Sequence, residues 1–207
     1  MSHITPIGIS GFMQSGKDTF YKILRERLLL NGVETERVAL ADYLRAEVYQ
    51  EVLNKFGINV FNCNIEEKNK TRPFLIEFAA KKRKETGGRY FIEQAQKDIE
   101  ILIKKGITPV LTDIRFAEIE GSDEVFWLKN ELKGVLVHIE RYKIDSGGNK
   151  ILVSSPIPEE LLNDPKIRKE ADFFISWPTV SKESNDNKEL KQLQPFVDKF
   201  VEFYVKK

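Results

Sequence analysis

Near the start of the chain, Gly11-Phe12-Met13-Gln14-Ser15-Gly16-Lys17-Asp18-Thr19 has the spacing GxxxxGK. A loop of this spacing turns backbone N–H groups inward around an anion. The helix that follows adds the positive end of its dipole, and Lys17 reaches the outer phosphates of a nucleotide. The flanking residues supply the setting such a loop needs. Ile4, Ile7 and Ile9 make a short apolar strand before it, and Phe20, Ile23, Leu24 and Leu28 make a helical stripe after it. Gly11, Ser15, Gly16, Lys17, Asp18 and Thr19 are the expected contacts to nucleotide phosphates.

Details of the loop narrow the chemistry. The residue after Lys17 is Asp18, and the hydroxyl is displaced to Thr19, whereas many switch and motor proteins place Ser or Thr directly after the lysine as a Mg²⁺ ligand. The order Lys-x-Thr fits small nucleotide kinases. Thr19 is the expected hydroxyl near the metal, and Asp18 either holds Mg²⁺ through water or orients the loop. No Asn-Lys-x-Asp guanine-reading phrase follows any strand. Asp113 closes an apolar run, where an acid commonly orders Mg²⁺ through water. Asp42 follows a second apolar run, at the sheet edge where doubly wound folds bind ligands, and it also suits a helix N-cap. Arg45, Arg72, Arg89, Arg115 and Arg141 stand at the ends or starts of elements, where they suit a strongly anionic pair of substrates.

The elements that must position these residues alternate between strand and helix. Arg37 to Ala41 is expected as a second strand, followed by a helix carrying Tyr43, Leu44, Val48 and Val52 and stopped by Phe56-Gly57. Ile58 to Asn69 reads as an irregular polar connection. Thr71 to Lys84 reads as a helix, and so does Tyr90 to Lys105 with its stripe of Phe91, Ala95, Ile99 and Leu102. Further strands are expected at Ile107 to Thr112, Val135 to Ile139 and Ala171 to Ser176, with a helical stretch near Val125 to Leu132. Tyr142 to Lys169 reads as an irregular excursion and Ser181 to Lys188 as a polar loop. A last helix packs Leu190, Leu193, Phe196, Val197, Phe200 and Val201. Short, continuously apolar strands between helices mean an α/β fold with a parallel sheet covered on both faces.

Composition sets outer bounds. At 207 residues the chain suits a single domain, and 41% hydrophobic with 31% charged residues is ordinary for a globular protein. A net charge of +1 gives no general attraction to polymeric nucleic acid or to a membrane surface. The single Cys63 has no disulfide partner and reads as structural or incidental, which fits a reducing, cytoplasmic setting. No secretory h-region is read before the first strand and no apolar run approaches membrane-spanning length, so neither secretion nor a membrane span is expected. His3 and His138 lack partners in sequence and are not expected to be catalytic. The aromatic content leaves room for a homodimer.

Taken in order, Ser15-Gly16-Lys17-Asp18-Thr19, Ala41-Asp42-Tyr43-Leu44-Arg45, Thr112-Asp113-Ile114-Arg115-Phe116 and His138-Ile139-Glu140-Arg141 resemble the deoxynucleoside monophosphate kinases of tailed bacteriophages. The resemblance implies a three-layer α/β/α P-loop kinase fold over residues 1–207 with about five parallel strands. It also implies a helical acceptor arm at about 58–90, a lid-like segment at about 142–169, and a place in the host cytoplasm. The implied activity uses ATP and Mg²⁺ to convert a deoxynucleoside monophosphate to its diphosphate by direct in-line transfer. In that reading Lys17, Asp42, Arg115 and Arg141 are catalytic. Asp42, Arg45, Arg72 and Arg89 hold the acceptor, and Thr19 and Asp113 serve the metal.

The chain departs from the family in three places. Tyr43 stands where Pro is common, and Glu118 and Glu120 are each one position away from a usual Glu. Trp177-Pro178-Thr179 replaces an Asn-acid-Gly ending, so Trp177 either stacks on a base or packs the sheet edge. Kinases of dephospho-coenzyme A, phosphomevalonate or a sugar, and a non-catalytic ATP-binding module, are the alternatives.

Overall fold

Strand β1 (Ile7–Ser10) pairs in parallel with β3 (Thr108–Ile114) on one side and with β4 (Val135–Ile144) on the other. The computed structural model describes residues 4–117, 123–155, 157–179 and 186–207. Beyond β3 lies β2 (Thr35–Val38), and beyond β4 lies β6 (Phe173–Pro178), so the parallel order is β2-β3-β1-β4-β6. The sixth strand, β5 (Lys150–Leu152), runs antiparallel to the end of β4. The chain leaves β1 toward β2 on one side and later returns to β4 on the other. The carboxyl end of β1 is therefore the switch point at which such sheets open a crevice.

Alternation along the central strands sends side chains to two cores. On one face, Ile7, Ile9, Val137 and Ile139 pack against Phe20 and Leu24 of α1 (Lys17–Leu30) and Leu193 and Phe200 of α7 (Asp186–Val205). On the other, Leu111 and Leu136 meet Ile92, Ala95 and Ile99 of α4 (Tyr90–Lys104), together with Trp127 and Leu128. Those last two lie in a π-helical turn, Trp127–Glu131, that continues the short α5 (Glu124–Phe126). Helix α2 (Leu40–Phe56) joins this second face through Leu40. Its Val48 and Val52 form a satellite core with Ile58, Val60 and the flanking Phe74 and Phe78 of α3 (Ile65–Glu85). The expected three-layer α/β architecture with a parallel sheet is the observed one, and no described helix is long and apolar enough to cross a membrane.

Three local expectations change. Strand β2 ends at Val38 and α2 already begins at Leu40, so Ala41 and Asp42 lie in the first helical turn rather than at a strand end. Helix α3 starts at Ile65 inside the stretch expected to be irregular. Asn64 accepts from the N–H groups of Glu66 and Glu67, and Glu67 accepts from the N–H of Asn64, which is a capping box. The excursion after Arg141 is also regular. β4 continues to Ile144, turns into β5, and is followed by α6 (Pro158–Glu170), which opens on a proline in its first turn. His3, Glu118, Glu120 and residues 181–185 lie outside the described residues, and the rest of the expected Ser181 to Lys188 loop is helical, since α7 begins at Asp186.

Candidate active site

The loop after β1 is built for close approach. Gly11 has φ 134°, and a side chain there would fall 2.1 Å from the carbonyl oxygen of Ile139. Gly16 has φ 96°, and a side chain there would fall 2.3 Å from the indole of Trp177. Only glycine meets both demands. No side chain caps α1, so its first N–H groups stay directed at the loop. The Ser15 hydroxyl is buried with no partner among the described residues. A buried donor of this kind at a helix N-terminus fits an anion. The Lys17 ammonium reaches back to the carbonyl oxygens of Gly11 at 2.6 Å and Phe12 at 2.7 Å. Burial, helped by the charge of Arg115, lowers its pKa to about 8.

Two side chains brace the loop from the sheet edge. The fully buried indole of Trp177 donates from Nε1 to the carbonyl oxygen of Ser15 at 2.8 Å. With no face exposed, it packs the loop instead of offering itself to a base. Arg141 stacks its guanidinium 4.4 Å from the Trp177 ring centre and donates to the carbonyl oxygen of Gln14 at 3.0 Å. It therefore lies within β4 against the loop backbone, not on a segment that hangs over the site.

Asp113 accepts from the backbone N–H of Leu40 at 2.9 Å and of Ala41 at 2.8 Å. It is therefore the cap of α2, the part expected of Asp42, while the formal N-cap residue Ala39 supplies no side-chain bond. Asp42 instead accepts from Arg37 at 2.6 Å and from Arg45 at 2.5 Å. Arg115 follows the end of β3. Its backbone N–H donates to Glu124 at 2.6 Å and its guanidinium to Glu160 at 2.9 Å.

A cavity of about 640 Å³ opens between the loop and helices α2 and α3. Asp42, Arg45, Arg72, Asp113 and Arg115, five of the residues picked out from sequence, line it together with Met13 of the loop. Of the five arginines picked out from sequence, two do not join them. Arg89 is held outside, its guanidinium donating from both terminal nitrogens to Glu131 at 2.5 and 2.9 Å. Arg141 lies against the loop, as described above. Thr19 and Asp18 stand in the first turn of α1.

Sequence reasoning missed Arg37, Lys68, Arg83, Glu124 and Glu160 in the same lining. Arg83 sits in the run Lys81-Lys82-Arg83-Lys84 at the end of α3, and its guanidinium stacks 3.8 Å from the Phe116 ring centre. Glu160 had a visible local signal only in the Pro158-Glu159-Glu160 helix start.

His138 is buried behind the loop, with Nδ1 3.0 Å from the Ser10 hydroxyl and Nε2 3.4 Å from Asp164. Burial, with Arg168 adding to it, lowers its pKa to about 4, so the imidazole stays neutral. Ser10 is itself fully buried, which removes this trio from any role as an accessible nucleophile. Cys63 is half-buried, with its sulfur near the Val60 carbonyl. Among the described residues, no group of three or more His, Cys, Asp or Glu side chains is arranged to hold a metal.

No protein-family model matches the sequence, and no curated protein matches it. Solved structures do. A dephospho-CoA kinase from Campylobacter jejuni is 11% identical over 95% of this chain and 95% of its own, with a TM-score of 0.47. A shikimate kinase from Bacteroides thetaiotaomicron is 13% identical over 97% and 98%, with a TM-score of 0.39. An APS kinase from Mycobacterium tuberculosis is 8% identical over 94% and 98%, with a TM-score of 0.39. All three TM-scores are low, so the assignment of chemistry rests on the residues of the site.

Proposed function

We propose that the protein is a small-molecule kinase that transfers a phosphoryl group from ATP to a phosphorylated acceptor, in the finer reading a deoxynucleoside 5'-monophosphate. The observation that carries this is the wall shared by the phosphate loop and an arginine-lined cavity. Met13 of the phosphate loop and Arg115 both border a cavity that also holds Arg45 and Arg72. A module that merely senses ATP needs no second cationic chamber beside its phosphate loop. Arg45 and Arg115 already have Asp42 and Glu160 as counter-charges. An uncharged sugar acceptor, however, would leave Arg72, which pairs with no carboxylate among the described residues, without one.

The buried, unpartnered Ser15 hydroxyl and the two glycine positions fit a polyphosphate. Lys17 would bind its outer phosphates, and Arg115 would offset charge on the group in transfer. Thr19 and Asp113 are the residues that would hold Mg²⁺, which neutralises phosphate charge when bound. Such an ion takes most of its ligands from phosphates and water, with one or two from protein. Asp42 would hold Arg37 and Arg45 in place beside the acceptor. Catalysis then rests on positioning and electrostatics, with no covalent intermediate.

A coupled ADP-release assay with a panel of deoxynucleoside monophosphates, ribonucleoside monophosphates and dephospho-coenzyme A tests the reading. ADP release that depends on a deoxynucleoside monophosphate supports the finer proposal. Release with dephospho-coenzyme A alone moves the acceptor to that class, and no acceptor-dependent release ends the kinase reading. Lys17→Ala is expected to abolish transfer with the fold retained; substantial residual turnover would count against the assigned role of the loop.

A further inference from the structure

An anion from the protein itself already sits on the phosphate loop. Glu160 of α6 is only 9% exposed, and one carboxylate oxygen accepts from the backbone N–H of Met13 at 3.1 Å. The other accepts from the Arg115 guanidinium at 2.9 Å. A loop N–H and an arginine are the donor pair that a phosphate oxygen takes, so Glu160 and a bound phosphate would draw on the same groups.

The rest of α6 is attached in a way that allows it to leave. Its described inward contacts are mostly polar: Asn163 accepts from the Ala117 N–H at 2.8 Å, Asp164 lies 3.4 Å from His138, and Arg168 pairs with Glu140 at 3.1 Å. Ile167 is its one contribution to the buried apolar cores among the described residues. Leu161 and Leu162 face solvent, at 45% and 68% exposure. An element with so little apolar burial belongs to the low-stability end of a structure, where local opening is least costly.

We infer that Glu160 is a tethered competitor for the nucleotide, latching α6 over the phosphate loop until a phosphate displaces its carboxylate from Met13 and Arg115. The inference rests on the nucleotide reading of the loop given above. It makes α6 a lid whose closed position is held by the enzyme's own charge, and the apparent affinity for nucleotide is reduced by the fraction of molecules latched.

The test is calorimetric binding of ATP, and of inorganic tripolyphosphate, which needs no base pocket, to wild type, Glu160→Gln and Glu160→Ala. Both variants are expected to bind both ligands more tightly, by about tenfold for the alanine, the scale of one lost charge-assisted contact. Adding tripolyphosphate to wild type should also speed amide exchange across residues 161–170. Equal or weaker binding by a folded variant overturns the inference and leaves Glu160 a fixed partner of Arg115; if the alanine variant does not fold, the glutamine variant decides. Failure of wild type and both variants to bind either ligand removes the nucleotide reading, and the inference with it.

Discussion

The indole of Trp177 donates its N–H to the carbonyl oxygen of Ser15 at 2.8 Å, and its ring fills the space that a side chain on Gly16 would need. The last strand of the sheet therefore shapes the loop that follows the first. Trp177→Phe keeps most of the ring but leaves the Ser15 carbonyl without its donor. The expected cost is about 1–3 kcal/mol of stability together with weaker ATP binding. Urea unfolding and ATP titration of the variant check this, and wild-type values for both would mean that the indole contact does not hold the loop.

Asp113 supplies a second long-range constraint, since both of its oxygens accept from the start of α2. In Asp113→Asn one oxygen becomes an NH₂ group facing a backbone N–H, and the charge that complements the helix dipole is lost. A destabilisation of about 1–3 kcal/mol is expected, with faster amide exchange in the first turn of α2. Exchange unchanged in that turn would contradict the capping role.

How much of this was legible in the sequence follows from how local each signal is. The loop, the α1 stripe and the α4 stripe are short-range patterns, and the structure places them where the spacing says. Asp42 is next to its helix in sequence and so looked like the cap. Asp113 does that job from a different strand, and no local pattern announces it. Arg89 looked like a substrate ligand because it borders a helix, but the fold places Glu131 beside it. Arg83 stands in a run of cations, and nothing in that local pattern tells which of them tertiary packing sets onto Phe116. The capping box at Asn64 and Glu67, by contrast, was present in sequence and would have moved the start of α3 to its observed place.

The two arginines from the same helical region make separable predictions. Arg72 lines the cavity, so Arg72→Ala should raise the acceptor KM by about tenfold or more, the scale of a lost charged contact, with little change in ATP affinity. Arg89 is spent on a surface pair with Glu131, whose loss should cost about 1 kcal/mol or less and leave the acceptor KM within about twofold. Steady-state kinetics with the acceptor varied distinguishes them. An equal KM rise in both variants would place Arg89 in the acceptor site after all.

Glu124 gives a stability signature that pH can read. Burial pushes its carboxyl from an ordinary 4.5 up to about 7; hydrogen bonding from the Arg115 N–H opposes the rise and the charge of Asp113 adds to it. The folded protein thus keeps a proton that the unfolded chain has already released. That contribution is complete below 4.5 and is lost as pH rises through about 7, on the order of 3 kcal/mol in all. His138 slopes the other way. Its imidazole is held neutral down to about 4 against an ordinary 6.5, so its contribution is present above 6.5 and lost as pH falls through about 4. The two oppose each other between 4.5 and 6.5, and wild type alone hides both.

Glu124→Gln removes the first slope while an amide oxygen still accepts from Arg115 and Phe116. The stability of the variant relative to wild type should therefore climb as pH rises from 4.5 to 7. Denaturant unfolding of both proteins across that range measures the difference directly, and a difference independent of pH would mean that Glu124 is ionised in the folded protein.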